Sequence, residues 1–237
     1  MNSNQTANTM SETSLRKAAL IAGIGLLIMV IAAPYAEFYA YGGLVVWGNA
    51  EETAQNITAN KARFLSGLFG YLITLICDVF VAWALYVLLS PVSRTVSLLT
   101  GWFRVVYAVL ALAALSNVAK VLHILSAPDY LSAFETDQLH AQVMLALRAV
   151  GHGWDLGFAF FSIHLGLLGY LVFKSGYIPK VLGILLMING LGYFIEYVLK
   201  PYLFPGTSTG FLMVTYFGEV IFMLWLFIRG RRIREPR

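Results

Sequence analysis

Six long apolar runs, separated by short polar segments, occupy nearly the whole chain and constrain its fold more than any other feature. The runs are Lys17–Ala33, Phe64–Leu89, Leu98–Ser126, Ala141–Phe173, Lys180–Leu199 and Phe211–Ile228. Because a helix rises about 1.5 Å per residue, roughly 20 apolar residues cross the hydrocarbon core of a bilayer. Each run is near or above that length. The pattern therefore predicts an all-α, polytopic membrane protein built as a six-transmembrane-helix bundle.

The overall composition agrees with a membrane protein. Hydrophobic residues make up 59% of the 237 residues and charged residues 12%, whereas an ordinary soluble domain has about 25% charged residues. A soluble helical protein would also need polar helix faces recurring at the helical period, and residues 20–33 and 158–173 have none. We expect a flexible polar N-terminus at residues 1–15, a single membrane domain at 16–229 and a basic cytoplasmic tail at 230–237.

The basic residues are distributed unevenly between the two sides of the predicted spans. One side holds ten of the 16 Lys and Arg residues: Arg16, Lys17, Arg94, Lys174, Lys180, Arg229, Arg231, Arg232, Arg234 and Arg237. The loops on the other side hold Lys61, Arg63 and Lys200. Short loops rich in Lys and Arg stay in the cytoplasm, so both termini are expected there (N-in/C-in). The basic tail is interpreted as an anchor on anionic lipid rather than as a nucleic-acid site.

Several ionisable side chains lie inside the apolar runs, where an unpaired charge costs about 2.5–3.5 kcal/mol near mid-bilayer. They must therefore pair with one another or meet water. Counting from the loop ends places Asp78 and Glu219 near the midplane and Arg104 and His164 in the inner half. This inner set predicts a buried ion pair of Arg104 with Glu219 or Asp78. Asp78 and Glu219 could also carry protons.

A second, outer set of ionisable residues follows helical spacing on neighbouring spans. It comprises Lys120, His123, Arg148, His152, Asp155 and Glu196. Lys120 and His123 share one face of the third span, and Arg148, His152 and Asp155 share one face of the fourth. Two such stripes on adjacent helices predict a polar intramembrane cavity that opens toward the outside. Lys120 and Glu196 could instead reach the lipid headgroups near their span ends.

Three stretches resemble a known membrane-protein family. They are ALYVLLSPVSRTVSLLTGWFRVVYA at 84–108, APDYLSAFETDQL at 127–139 and FFSIHLGLLGYLVFKSGYIPKVLGILL at 160–186. On these motifs the chain, from about Arg16 to Arg229, is similar to a bacterial family catalogued as domain of unknown function 4386. The resemblance implies a six-helix integral protein of the bacterial cytoplasmic membrane. It brings no activity, cofactor or catalytic residue with it.

The residues leave three function hypotheses open. In the first, the outer pocket binds or moves a small polar or anionic solute or a lipid headgroup, which Lys120 and Arg148 hold. In the second, the protein is an intramembrane hydrolase that uses a metal, with His123, His152 and Asp155 as the plausible ligands. In the third, it is a structural or regulatory membrane protein without a ligand. No catalytic residue, metal site or cofactor is predicted, and enzymatic activity is not favoured. The expected partners are membrane lipid, a small ligand and a second copy of the chain.

Overall fold

The computed structural model describes residues 14–126, 132–203, 207 and 214–233, and every secondary-structure element within these ranges is helical. The helices are α1 (Leu15–Pro34), α2 (Ala50–Ala59), α3 (Lys61–Leu89), α4 (Arg94–Leu125), α5 (Thr136–Lys174), α6 (Lys180–Tyr193), α7 (Lys200–Leu203) and α8 (Phe217–Arg229). A π-helical segment, Tyr35–Tyr41, continues α1, and a second, Phe194–Leu199, continues α6. Residues 1–13 of the predicted N-terminus, 211–213 of the sixth run and 234–237 of the basic tail lie outside the described residues.

Five helical stretches are long and apolar enough to cross a membrane. They are Leu15–Tyr41, Lys61–Leu89, Arg94–Leu125, Thr136–Lys174 and Lys180–Leu199. The all-α prediction is confirmed, and these stretches are what a multi-pass membrane protein requires. The described part of the sixth run is α8, a helix of 13 residues that begins at Phe217. Large apolar side chains, including Ile31, Phe80 and Leu156, are exposed on the outside of the bundle, as contact with lipid tails demands.

Local sequence sets several of the helix boundaries. At the start of α4, the side chain of Ser93 accepts a hydrogen bond from the backbone N–H of Val96, which satisfies one of the free donors of the first turn. A capping box between Glu135 and Gln138 begins α5 in the same way. The turn from α5 to α6 passes through Gly176 at a φ of +73°, a backbone conformation that glycine adopts without strain.

The long helices close into a ring. In chain order α1 packs on α3, α3 on α4, α4 on α5, α5 on α6 and α6 on α8, and α8 returns to α1. At one end, Arg16 Nε donates to the carbonyl oxygen of Ile233 at 2.9 Å, and the Tyr177 hydroxyl donates to that of Leu88 at 2.6 Å. We call this the basic end, and the opposite end, which carries α2, the α2 end.

Glycines bring α5 close to both of its neighbours in the ring. A Cβ atom added at Gly153 would lie 2.7 Å from Ala114 Cβ on α4. One added at Gly169 would lie 2.6 Å from the carbonyl oxygen of Gly183 on α6. Such contacts fix the rotation of α5 about its own axis. They thereby determine which of its side chains point into the ring.

Candidate functional site

Arg104 lies inside the ring, at the hub of a group that we call the ionic cluster (Asp78, Arg104, His164 and Glu219). Its Nε donates to Asp78 Oδ1 at 2.8 Å, and its Nη1 donates to Glu219 Oε1 at 3.1 Å. The side chains of Arg104 and Asp78 are 0% exposed, whereas that of Glu219 is 20% exposed. The structure thus brings together all four residues of the predicted inner set, and Arg104 pairs with both carboxylates rather than with one.

The hydrogen bonds of His164 define its protonation state. Its Nε2 lies 3.2 Å from Arg104 Nη1, and its Nδ1 lies 2.9 Å from the carbonyl oxygen of Thr100. A guanidinium group has only donors, so Nε2 must be the acceptor in the first contact. The Nδ1 atom then carries the proton and donates it to Thr100. His164 is therefore neutral and adds no positive charge beside Arg104.

The ionic cluster connects five helices of the ring. Asp78 comes from α3, Arg104 from α4, His164 from α5 and Glu219 from α8, while the sulfur of Met29 on α1 lies 3.7 Å from Arg104 Nη2. Removing one partner of a buried ion pair typically costs about 3–5 kcal/mol, because the other charge is left unpaired. The cluster therefore couples these helices, because a change that separates one charged partner leaves another charge buried and unpaired.

A cavity of about 760 Å³ lies between the ionic cluster and the α2 end. Its lining runs from Glu219 and Phe161, beside the cluster, to Trp47 in the segment before α2. Small-molecule sites in proteins are typically concave, mostly apolar and about 300–1,000 Å³ in volume. We call this space the aromatic cavity, after the rings described next.

Aromatic rings in mutual contact form much of the cavity wall. The centroids of Phe158 and Tyr197 are 4.3 Å apart, and those of Tyr107 and Phe161 are 4.7 Å apart. Trp154 Nε1 donates to the Tyr107 hydroxyl at 3.3 Å. Contacts of this kind favour particular ring orientations. The wall therefore presents aromatic faces together with a few fixed polar groups.

The charged groups that line the aromatic cavity are acidic. Glu37, Asp155 and Glu219 contribute carboxylates, and the Tyr71 hydroxyl donates to Glu37 Oε2. No Lys, Arg or His occurs among the described lining residues. Arg104 is not a lining residue itself, but it contacts three that are: Glu219, Met29 and Phe161. The cavity is therefore suited to a ligand without negative charge.

The π-helical segments supply part of this lining, which the sequence analysis did not identify. Tyr35–Tyr41 carries Glu37, and Phe194–Leu199 carries Tyr197. Arg63 holds the first segment, since its Nε donates to the Tyr39 carbonyl oxygen at 2.8 Å. The apolar runs leave residues 34–63 between the first two predicted spans, so the pattern gives no reason to place Glu37 in a helix. The available signal was that Tyr35–Tyr41 contains alanine and aromatic residues around a single acid and no residue that breaks a helix.

The structure does not gather the predicted outer set around one chamber. Asp155 lines the aromatic cavity, and Glu196 pairs with Lys200 at 2.6 Å. The other four are exposed and are absent from the cavity lining: Lys120, His123, Arg148 and His152. The guanidinium carbon of Arg148 lies 5.5 Å from the centre of the Trp47 ring. This contact places Arg148 beside a residue of the lining without exposing it to the cavity itself.

The residues suggested for a metal-dependent hydrolase do not converge. In the parts of the chain that the structure describes, no three His, Cys, Asp or Glu side chains are close enough to hold a metal ion. His123, His152 and Asp155 all lie within those parts. A catalytic zinc site needs three such ligands around one point, so this trio does not provide one.

Comparison with known proteins places the chain in a family. The model of a domain of unknown function (DUF4386) matches residues 21–230. A protein from Archaeoglobus fulgidus, described as an uncharacterized protein, is 41% identical over 176 residues, which cover 74% of this chain and 91% of that relative. No solved structure matches the chain. The family match includes the whole ionic cluster and confirms the resemblance drawn from the loop and turn motifs: this chain belongs to the family of domain of unknown function 4386.

Proposed function

We propose that this protein is a six-span protein of the bacterial cytoplasmic membrane that binds a small molecule in its aromatic cavity. The sixth span would contain α8, because α8 completes the ring between α6 and α1. Both termini would lie in the cytoplasm. The basic end supports this orientation, since it carries Arg16, Arg94, Lys174, Lys180 and Arg229 in or beside short connections.

One observation carries the binding proposal: the carboxylate of Glu219 belongs both to the ionic cluster and to the cavity lining. A ligand in the cavity would contact a group that Arg104 already holds in position. Such a preorganised polar group in an otherwise apolar site provides orientation at a low entropic cost. A mainly structural cluster would not require one of its members to face an open cavity.

The lining favours an amphiphilic ligand over the anionic one expected from the sequence. Lys120 and Arg148, the groups expected to hold an anion, do not line the cavity. Aromatic rings form much of the wall instead, and acidic side chains supply its charge. A molecule with apolar or aromatic substituents would bury them against these rings, which provides the main driving force for binding.

The experiment that tests the proposal fills the cavity. Gly151 on α5 lines it, and a Cβ atom added there would meet nothing within 4 Å. Gly151→Phe therefore introduces a ring into the space without a backbone clash. Gly166, on the same helix, also has nothing within 4 Å of an added Cβ but does not line the cavity, so Gly166→Phe is the matched control.

Thermal unfolding of the purified protein is measured with three probes of similar size: tetraphenylphosphonium, triphenylphosphine oxide and tetraphenylborate. We expect at least one probe to raise the midpoint of the wild type and of Gly166→Phe, but not that of Gly151→Phe. If no probe stabilises the wild type, or if Gly151→Phe responds as fully as the control, the cavity is not a binding site.

A structural role is the second candidate function, and the ionic cluster favours it because five helices meet there. In that case substitutions in the ionic cluster would change the stability of the protein and would have no effect on ligand binding. A rise in the unfolding midpoint of the wild type on addition of a probe distinguishes the two candidates. A purely structural protein would show no such rise that is lost in Gly151→Phe.

A further inference from the structure

We propose that the aromatic cavity selects a hydrophobic organic cation with one positive charge, and that Glu219 is its counter-ion. This inference rests on the proposed binding function and specifies its ligand class. It reverses the charge that the Lys and Arg residues of the outer set suggested. The argument depends on the charge balance of the ionic cluster, the lining of the cavity and the chemistry of its walls.

The ionic cluster presents an acidic group to the cavity and no basic one. Two carboxyl groups, of Asp78 and Glu219, meet the single guanidinium group of Arg104. His164 is neutral, because its Nε2 accepts from Arg104. Arg104 and Asp78 are fully buried and do not line the cavity. Glu219 is partly exposed and does line it, so its carboxylate is the group of the cluster that a ligand would meet.

The wall of the cavity adds to this negative potential. Glu37 and Asp155 line it further toward the α2 end, and no described lining residue is Lys, Arg or His. Outside the lining, the guanidinium carbon of Arg148 lies 5.5 Å from the centre of the Trp47 ring, and Lys200 is paired with Glu196. An anion entering this space would meet three acidic side chains, and like charges repel one another.

The aromatic rings favour a cation of a particular kind. The faces of Tyr and Trp rings attract positive charge, and they do so most effectively when the cation sheds water easily. An inorganic divalent ion is a poor candidate, because among the described residues no group of three acids or histidines converges on one point. A bulky organic cation spreads its charge over apolar substituents. Those substituents would fill the space of about 760 Å³, while the charge lies near Glu219.

Tetraphenylphosphonium and tetraphenylborate provide the direct test, because they have nearly the same shape and opposite charges. Equilibrium dialysis of the purified protein in detergent measures the dissociation constant of each, with Gly151→Phe protein giving the background. We expect the wild type to bind the phosphonium at least about tenfold more tightly than the borate, because opposite charge attracts and like charge repels in a site of low polarity.

Glu219→Gln tests the counter-ion. The amide oxygen of Gln can still accept from Arg104, and the cluster then has one guanidinium group against one carboxylate, so folding should be retained. Phosphonium binding should weaken about tenfold or more, while binding of the neutral triphenylphosphine oxide should stay within about twofold. Asp137→Asn is the control, because Asp137 is exposed in the first turn of α5 and does not line the cavity.

Asp155→Asn supplies an independent variant in case Glu219→Gln fails to fold, since Asp155 lines the cavity and lies outside the ionic cluster. It should weaken phosphonium binding and strengthen borate binding. If the borate or the neutral probe binds more tightly than the phosphonium and Gly151→Phe removes that binding, the cation inference is overturned and the binding function stands. If no probe binds above background, both are overturned.

Discussion

Arg104 is placed so that each part of its guanidinium group has a separate partner. Nε meets Asp78, Nη1 meets Glu219 and His164, and Nη2 lies against the sulfur of Met29. A lysine ammonium group is a compact charge on a flexible stem and cannot reproduce this planar set of donors. The residue type at this position is therefore as important as its charge.

Replacing this residue is expected to destabilise the protein strongly. Arg104→Met leaves two carboxylates without a cation in the middle of the ring, so we expect a loss of about 3–5 kcal/mol in the free energy of unfolding. Arg104→Lys should lower the free energy of unfolding by a smaller amount. Arg148→Met is the control, because an exposed contact of a guanidinium group with an aromatic ring contributes only about 0.5–1 kcal/mol. Denaturant unfolding in mixed micelles checks this, and equal losses for Arg104→Met and Arg148→Met would contradict it.

The inner and outer charged residues differ in how far the sequence could locate them. An unpaired charge within the bilayer is so unfavourable that Asp78, Arg104 and Glu219 must pair or meet water, which predicts an ion pair of Arg104 with one of the two acids. Close to the helix ends that requirement disappears, because a long side chain such as that of Lys120 or Arg148 can reach water or a ring at the surface. Helical spacing shows that residues share a face, but it does not show which neighbour that face meets.

At the level of single elements, the two π-helical segments are the main departure from the expected pattern. Each follows an ordinary helix without interruption, at Tyr35–Tyr41 and Phe194–Leu199. A π turn shifts the rotation of the residues beyond it and is often found at functional sites. The spacing of apolar residues cannot reveal such a shift, since a π-helical segment does not differ in composition from an α-helical one. For this reason the approximate positions of the long helices were predictable and the residues that line the cavity were less so.

The contact between α5 and α6 leads to a prediction with opposite signs at two glycines. A Cβ atom at Gly183 would lie 2.6 Å from the Gly169 carbonyl oxygen, whereas one at Gly166 would meet nothing within 4 Å. Gly183→Ala should therefore lower the free energy of unfolding by about 1–3 kcal/mol, because backbone must move. Gly166→Ala should leave it unchanged or raise it by up to about 1 kcal/mol through helix propensity. Thermal unfolding of both variants is the measurement, and stabilisation by Gly183→Ala would show that the two helices are not in close contact.

At the scale of the whole molecule, the proposed topology predicts which positions are accessible from outside the cell. Cys77 is the only cysteine, so Cys77→Ser gives a background without thiols. In that background a membrane-impermeant maleimide should label Gln55→Cys, on α2, in intact cells. It should label Lys174→Cys and Arg231→Cys, at the basic end, only after the membrane is opened. Labelling of Arg231→Cys in intact cells would indicate an odd number of spans.

The closure of the ring by α8 has a consequence for how the protein is made. When α1 to α6 have been inserted, Asp78 and Arg104 can already neutralise each other. The aromatic cavity still lacks the part of its wall that α8 contributes. The last helix brings Glu219, the second acid, and docks on α1 where a Cβ atom at Gly23 would lie 3.0 Å from the Phe227 nitrogen. A short segment with a carboxylate enters a bilayer poorly by itself. Here the carboxylate of Glu219 forms an ion pair with Arg104 when α8 docks. We therefore expect the ability to recognise a ligand to arise only when α8, which is synthesised after the other helices of the ring, docks against them.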